Sequence, residues 1–360
     1  KQRFPGFPLN LGSNTAEVYG ASLDVNWELD LWGRLRATQR AAMADKQAQE
    51  QDYRAARTSL AAQLAKAWFA LGEANEQIGL AQAAILVRDK TARSIRERFT
   101  AALEGGLASQ LRLAETDLAG SRAALARWQA ERERALRQVE LLVGRYPKGN
   151  LLSRRVLPKA PAAPPAGLAS ELLLRRPDIL AAERRYAAAG SRFKAARLAH
   201  YPSFSLTGRR GTSTDVLHEV LDSRFGVWSL SGGLVQPLLS GGRLRQEAKI
   251  AGHDEEIALR ELQRIVLRGF GEVEQALVAE EYFAKRERAV AESARSAREA
   301  AEAAIVDFAD GAVEALTLLS AQDRQVQTAF QLASLRRMRL DNRVNLHLSL
   351  GGDFKLREQQ

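Results

Sequence analysis

Apolar and polar residues alternate without exception from Ala21 to Leu31. Ala21, Leu23, Val25, Trp27, Leu29 and Leu31 fall on one parity, and Ser22, Asp24, Asn26, Glu28 and Asp30 on the other. A period of two over this length predicts a β-strand with one apolar and one polar face. The second half of the chain offers two less regular strand candidates, Phe204–Thr207 and Val227–Leu239, joined by a polar loop. Gly232, Gly233 and Pro237 weaken the last of these, because glycine and proline fit poorly inside a strand.

Elsewhere the period is helical. Leu60, Leu64, Ala67, Leu71, Ala74, Ile78, Ala81 and Ile85 alternate steps of four and three, the spacing of a coiled-coil seam. Leu111, Ala114, Leu118, Ser121, Leu125, Trp128, Arg132, Ala135, Val139 and Leu142 continue it in a second, shorter segment. Residues 9–146 and 238–360 contain no proline, which permits very long helices. Helices are predicted over about 35–100 and 243–309, each rising on the order of 100 Å at about 1.5 Å per residue. Glycines at Gly105, Gly106 and Gly311 mark the tips where the chain turns back.

The two halves repeat one another. Gly33-Arg34-Leu35-Arg36 recurs as Gly242-Arg243-Leu244-Arg245, and Phe99 matches Phe308, both at an offset of 209. Ala114-Glu115 matches Ala321-Gln322, and Gly144 matches Gly351, at 207. A steady offset over this span argues duplication. The change by two places the extra residues of the first half around Glu104-Gly105-Gly106. Six of the ten prolines lie between 147 and 177, at the crossing between the halves. The expected segments are a strand region at 1–32, a first helical hairpin at 33–144, a linker at 145–177, a helix at 178–202, a strand pair with its loop at 203–240, a second hairpin at 243–350 and a tail at 351–360. The fold class is mostly α with a small β part.

Composition narrows the function. The chain of 360 residues has no cysteine, which excludes disulfides, thiol catalysis and cysteine-ligated metals. No apolar run of about 18 residues exists, so no transmembrane helix is predicted. Any span within the chain must be a β-barrel. No signal peptide is visible at Lys1, so it was either removed or the chain is a fragment. The net charge of +10 fits nucleic acid or anionic lipid, but the basic residues are mixed with Glu along helices and no RNA-binding signature accompanies them. Nucleic acid is not an expected partner. None of His200, His218, His253 and His347 has a second histidine at ligand spacing, and His218-Glu219 is followed by Asp222 where a zinc-protease helix needs His. Phosphate loops, dinucleotide fingerprints and nucleophile elbows are absent. Neither an enzyme nor a cofactor is expected.

The alternating strand has the length of a transmembrane β-strand, and apolar-out, polar-in is what a water-filled barrel needs. A half-buried strand of a soluble sheet gives the same alternation. Three or four strands cannot close a barrel alone, and so small a soluble sheet would be dwarfed by the helical residues. Several copies donating strands to one barrel resolve both difficulties.

Four stretches then carry a resemblance: Trp27-Glu28-Leu29-Asp30-Leu31-Trp32-Gly33-Arg34-Leu35-Arg36, Leu173-Leu174-Arg175-Arg176-Pro177-Asp178-Ile179 with the later Tyr201-Pro202-Ser203-Phe204, Gly311 through Leu316-Thr317-Leu318-Leu319-Ser320-Ala321-Gln322, and Leu350-Gly351-Gly352. In this order and spacing, from about residue 15 to 354, the chain resembles the TolC-like outer membrane factors of tripartite resistance–nodulation–division (RND) pumps. The resemblance implies a homotrimer whose protomers each give four strands to a twelve-stranded outer-membrane β-barrel, continued by a periplasmic α-barrel. It implies a passive exit duct for drugs or other small toxic compounds, with a periplasmic adaptor, an inner-membrane RND pump and outer-membrane lipid as partners. It also implies that a first helix and most of a first strand precede residue 1, with Phe4–Leu11 a remnant of that strand. A periplasmic gate is expected at Leu316 with Ser320, Asp323, Gln110 and Arg112 around it. Ser320 stands where the family has an acidic residue, and Asp323 where it has a basic one. Adaptor contact is expected at the tips, Gly105, Gly106 and Gly311. The alternatives are the exit duct of a type I protein-secretion system, disfavoured by the Arg-Arg-Pro-Asp linker, and a periplasmic adaptor or coiled-coil scaffold, disfavoured by the lack of many short strands.

Overall fold

The computed structural model describes residues 17–101, 107–150, 157–161 and 175–352. Gly105, Gly106, Phe4–Leu11, Leu173, Leu174 and the end of the tail lie outside the described residues. The elements run β1 (Tyr19–Leu29), α1 (Arg34–Thr100), α2 (Ala108–Leu142), α3 (Pro177–Leu198), β2 (Ser203–Thr214), β3 (Gly226–Val235), α4 (Arg243–Ala309) and α5 (Ala315–Ser349). Two short 3-10 turns, Leu217–Glu219 and Ser223–Phe225, lie between β2 and β3. The duplication reappears as matched helices: α1 and α4 each have 67 residues, and α2 and α5 each have 35. No described helix is long and apolar enough to cross a membrane.

The described residues form two compact units, one from the chain up to Gln49 with Ala182–Leu262, the other from Glu50–Ala181 with Gln263 onward. Both units differ from the sequence segments because α1 and α4 each contribute residues to both.

In the first unit the three strands form an antiparallel sheet in the order β1-β2-β3. β2 runs seven residues beyond the expected Thr207. Its later even positions are Gly208, Arg210 and Thr212 rather than large apolar residues, so its alternation is invisible until β1 supplies the register. β3 ends at Val235 rather than Leu239, short of Pro237, which lacks the N–H a ladder needs. Gly232 and Gly233 remain within β3. Gly233 is suited to its place, since a Cβ there would meet Ser205 Oγ at 2.8 Å.

The junction of β1 with α1 explains the Trp27–Arg36 run. Arg34 donates to both carboxylate oxygens of Glu28 at 2.7 and 2.8 Å. Asp30 accepts from the backbone N–H groups of Leu35 and Arg36 at 3.0 and 2.9 Å, capping the start of α1. Trp32 Nε1 donates to Pro202 O at 2.8 Å, and its ring lies 5.3 Å from that of Tyr201. Gly33 takes a φ of 85° between them.

In the second unit the helices pack mainly through small residues. Ala67, Leu71, Ala74 and Ala81 are buried as the heptad requires, but the buried line then takes Gln77, Ala84 and Arg88 in place of Ile78 and Ile85, and Leu60 is exposed. In α2, Ala114, Leu118, Ser121 and Val139 are buried, while Leu136 and Glu140 replace Ala135 and Leu142. Polar residues can occupy a seam only when they find partners. Gln77 Nε2 donates to Phe330 O and Ser334 Oγ, at 3.0 and 3.1 Å. Glu140 accepts from the backbone of Gly149 and Asn150. Arg176 of the Arg-Pro-Asp motif is buried and bridges Asp178, Glu272 and the carbonyl of Ser349. Burial works against the Asp178 charge, but the hydrogen bonds and charge of Arg176 outweigh it and hold the carboxyl below its ordinary range.

The turn from α4 to α5 is closed by Gly311. Its N–H donates to Phe308 O, that of Ala312 donates to Asp307 O, and Gly311 sits at φ 77°. This is the left-handed cap that favours glycine. A Cβ there would meet nothing within 4 Å, so only backbone conformation opposes substitution. Gly311→Ala should therefore lower stability by about 1–2 kcal/mol, read from denaturant unfolding of the full-length chain by helical circular dichroism. An unchanged midpoint would remove the cap from the account.

Candidate channel surface and gate

Cross-strand register sorts the sheet into two faces, because directly opposed residues point to the same side. Leu29, Phe204 and Leu234 form one row; Trp27 pairs with Leu206, and Val25 with Gly208, which pairs with Leu230. Leu23, Val25, Trp27, Leu230 and Leu234 are all exposed. The opposite face carries Glu28 with Ser205, Asn26 with Thr207 and Ser231, and Asp24 with Arg209 and Ser229. An apolar face left bare beside a charged one is the arrangement of a wall between lipid and water. β1 and β3 are edge strands among the described residues, and an open edge cannot stand in hydrocarbon. The sequence identified the apolar face on β1 but missed its continuation on β2. The parity of Phe204 and Leu206 was the available signal.

In the other unit a core cluster joins four helices: Ala92 and Ile95 of α1, Ala114 of α2, Ala304 and Phe308 of α4, and Ala315, Leu318 and Leu319 of α5. Arg98 donates to Phe308 O at 2.8 Å, and its guanidinium lies 4.2 Å from the centre of the Phe308 ring. The starts of α2 and α5 are thus held together, and they carry the expected gate residues. Leu316 is 54% exposed. Ser320 Oγ donates back to Leu316 O. Arg112 is exposed and pairs with Glu115 at 2.9 Å. Gln110 is buried, with no partner for its Oε1 among the described residues, so within one chain it faces the helix interface.

Asp323 is tied in more firmly than the sequence implied. Its Oδ1 accepts from Arg88 at 3.0 Å and its Oδ2 from Gln327 at 2.6 Å. Arg88 is itself buried and also donates to Asp117 O and Ser121 Oγ, at 2.9 and 3.0 Å. One guanidinium therefore links α1, α2 and α5. Sequence reasoning missed it because Arg88 looks like any solvated helical arginine. Beside this cluster burial pushes the Asp117 carboxyl above its ordinary value; the Arg88 charge opposes that rise and the Asp323 charge adds to it.

A small antiparallel sheet with one lipid-compatible face, carried by a chain of very long helical hairpins, defines a channel-forming outer-membrane protein of TolC-like fold. The model of the family described as "Outer membrane efflux protein" matches residues 5–145 and 168–352, and the chain belongs to that family. It is 30% identical over 357 residues to the outer membrane protein OprJ of Pseudomonas aeruginosa, covering 95% of this chain and 72% of that one. It is 28% identical over 338 residues to the toluene efflux pump outer membrane protein TtgF of Pseudomonas putida, covering 93% and 70%. The solved structure of the outer-membrane channel OprN matches with a TM-score of 0.91 at 27% identity, over 98% of this chain and 79% of that one. The protein is a passive channel of the bacterial outer membrane, reaching into the periplasm, and not an enzyme.

Two outcomes follow. A carboxyl whose folded pKa is raised gives stability that is complete below its unfolded pKa and lost as pH rises through the folded value. Asp117→Asn should therefore raise the melting temperature at pH 7 and leave it unchanged near pH 3, in calorimetry of the detergent-purified protein. Since the chain has no cysteine, single cysteines report the sheet faces cleanly. In membranes, Asn26→Cys and Ser231→Cys should react with a charged, water-soluble thiol reagent, and Val25→Cys and Leu230→Cys should not. Equal labelling of both faces would defeat the assignment.

Proposed function

We propose that this chain is one protomer of a homotrimeric exit duct in a tripartite efflux system. The sheets of three copies, each extended by the fourth strand that the family resemblance implies, close a single twelve-stranded barrel in outer-membrane lipid, and the hairpins of the three build the periplasmic tube. The observation that carries this reading is the three-stranded sheet with an exposed apolar face and edge strands at both sides. Joining edges between copies satisfies the backbone and presents the apolar face to lipid in one step. Exposed apolar side chains spaced along α4, among them Leu267, Val278 and Tyr282, favour further contact between copies.

The duct works with an inner-membrane RND pump that supplies the energy and a periplasmic adaptor that joins the two. Names such as that of TtgF, a component of a toluene efflux pump, support small toxic compounds as cargo. The hairpin tips around Gly311 are the adaptor contact. In this reading Leu316 narrows the tube, Asp323 is held in place by Arg88, and Ser320 and Arg112 line the approach.

Extraction of the full-length protein should require detergent, and its mass by light scattering should be three times that of the chain. A monomer in the soluble periplasmic fraction would falsify the duct reading. Asp323→Ala should raise single-channel conductance in planar bilayers and admit vancomycin-sized solutes. Unchanged conductance removes Asp323 from the gate while leaving the duct intact.

A further inference from the structure

Arg210 breaks the character of the face on which it stands. Register pairs it with Leu23 on one side and Trp228 on the other, so it shares the outward side with Phe204, Leu206, Leu230 and Leu234. Its neighbour Arg209 points to the opposite side and lies 3.5 Å from Asp24. Arg210 is exposed and has no acidic partner among the described residues. A guanidinium facing lipid is costly at the bilayer midplane and nearly free at the interface, so its height decides its meaning.

That height follows from the order of the rows. From the α1 junction outward they are Leu29 with Phe204, Trp27 with Leu206, Val25 with Gly208, then Leu23 with Arg210. Arg210 therefore stands in the last large apolar row before the β2–β3 connection. Trp228 beside it belongs to the residue type that settles at membrane interfaces. The next row outward is Ala21, Thr212 and Gly226. Thr212 is half-buried and its hydroxyl donates to Val220 O of the β2–β3 connection, while Ala21 and Gly226 beside it are small and exposed, leaving the arginine stem room to carry its head toward the headgroups. β2 is the middle strand, so this chain alone builds both flanks of the position.

We propose that Arg210 binds the phosphate of an anionic lipid headgroup at the outer interface, with Trp228 packed at the boundary of its acyl chains. The planar fork of a guanidinium offers two parallel N–H donors to phosphate oxygens. In the outer leaflet the fitting lipid is a phosphorylated glycolipid. The proposal rests on the outer-membrane reading above.

The test uses detergent-purified full-length protein titrated with lipid A, and with lipid A freed of its phosphates, with bound lipid counted by native mass spectrometry. Arg210→Gln should weaken lipid A binding about tenfold. Arg210→Lys should stay within about threefold of the wild type, since it keeps the charge and loses only the fork. Arg209→Gln, on the opposite face, should bind as the wild type does. The phosphate-free lipid should bind wild type and Arg210→Gln equally. Equal affinity of wild type and Arg210→Gln for lipid A would overturn the proposal, as would the same loss for the phosphate-free lipid. A wild-type protein that is recovered in solution without detergent and takes up neither lipid would instead sink the membrane reading.

Discussion

Backbone hydrogen bonding in hydrocarbon is the constraint on which the rest of this molecule depends. Each unpaired amide or carbonyl left in lipid costs several kcal/mol, and β1 and β3 each present a row of them. Three strands cannot curl far enough to satisfy their own edges. In the reading proposed above, strands of other copies continue the described sheet. On that reading the apolar side chains exposed on the sheet, Leu23, Trp27 and Trp228, face lipid, and Leu267 and Tyr282 of α4 face a neighbouring copy.

Buried arginine is the second recurring device. Arg88, Arg176 and Arg343 have side chains only 8%, 8% and 9% exposed. Each is compensated by more than one acceptor or by a buried carboxylate. Arg88 takes the Asp117 carbonyl, Ser121 and Asp323; Arg176 takes Asp178, Glu272 and the Ser349 carbonyl; Arg343 shares Glu280 with Arg339. Bridges of this kind add less to stability than to register. Along helices whose packing residues are mostly alanine, sliding would cost little without them. Many of the 53 lysines and arginines are thus matched to specific acceptors rather than offered to a polyanion.

Legibility varied with the kind of signal. The strand β1 was plain because each face is chemically uniform over its whole length. The long helices were plain because proline is absent and the repeat returns at a fixed offset. β2 was underread because Gly208, Arg210 and Thr212 hide its parity, and the seam of α1 because Gln77 and Arg88 look like surface residues until their partners across the helix interface are known. Around the proposed gate, the sequence named Asp323 but not Arg88, since no pattern of spacing in one segment reports an ion pair between α1 and α5.

The sequence by itself determined the element types, the duplicated plan and the two-faced character of the first strand. These follow from local periodicity and from residues that forbid alternatives. Only the tertiary structure decided which residues oppose one another across β1, β2 and β3, which polar groups enter the helix seams, and that Arg210 stands on the apolar side. Those facts depend on register and on partners far away in the chain. A one-residue slip would move every side chain of a strand to the other face, so composition and local pattern cannot supply them.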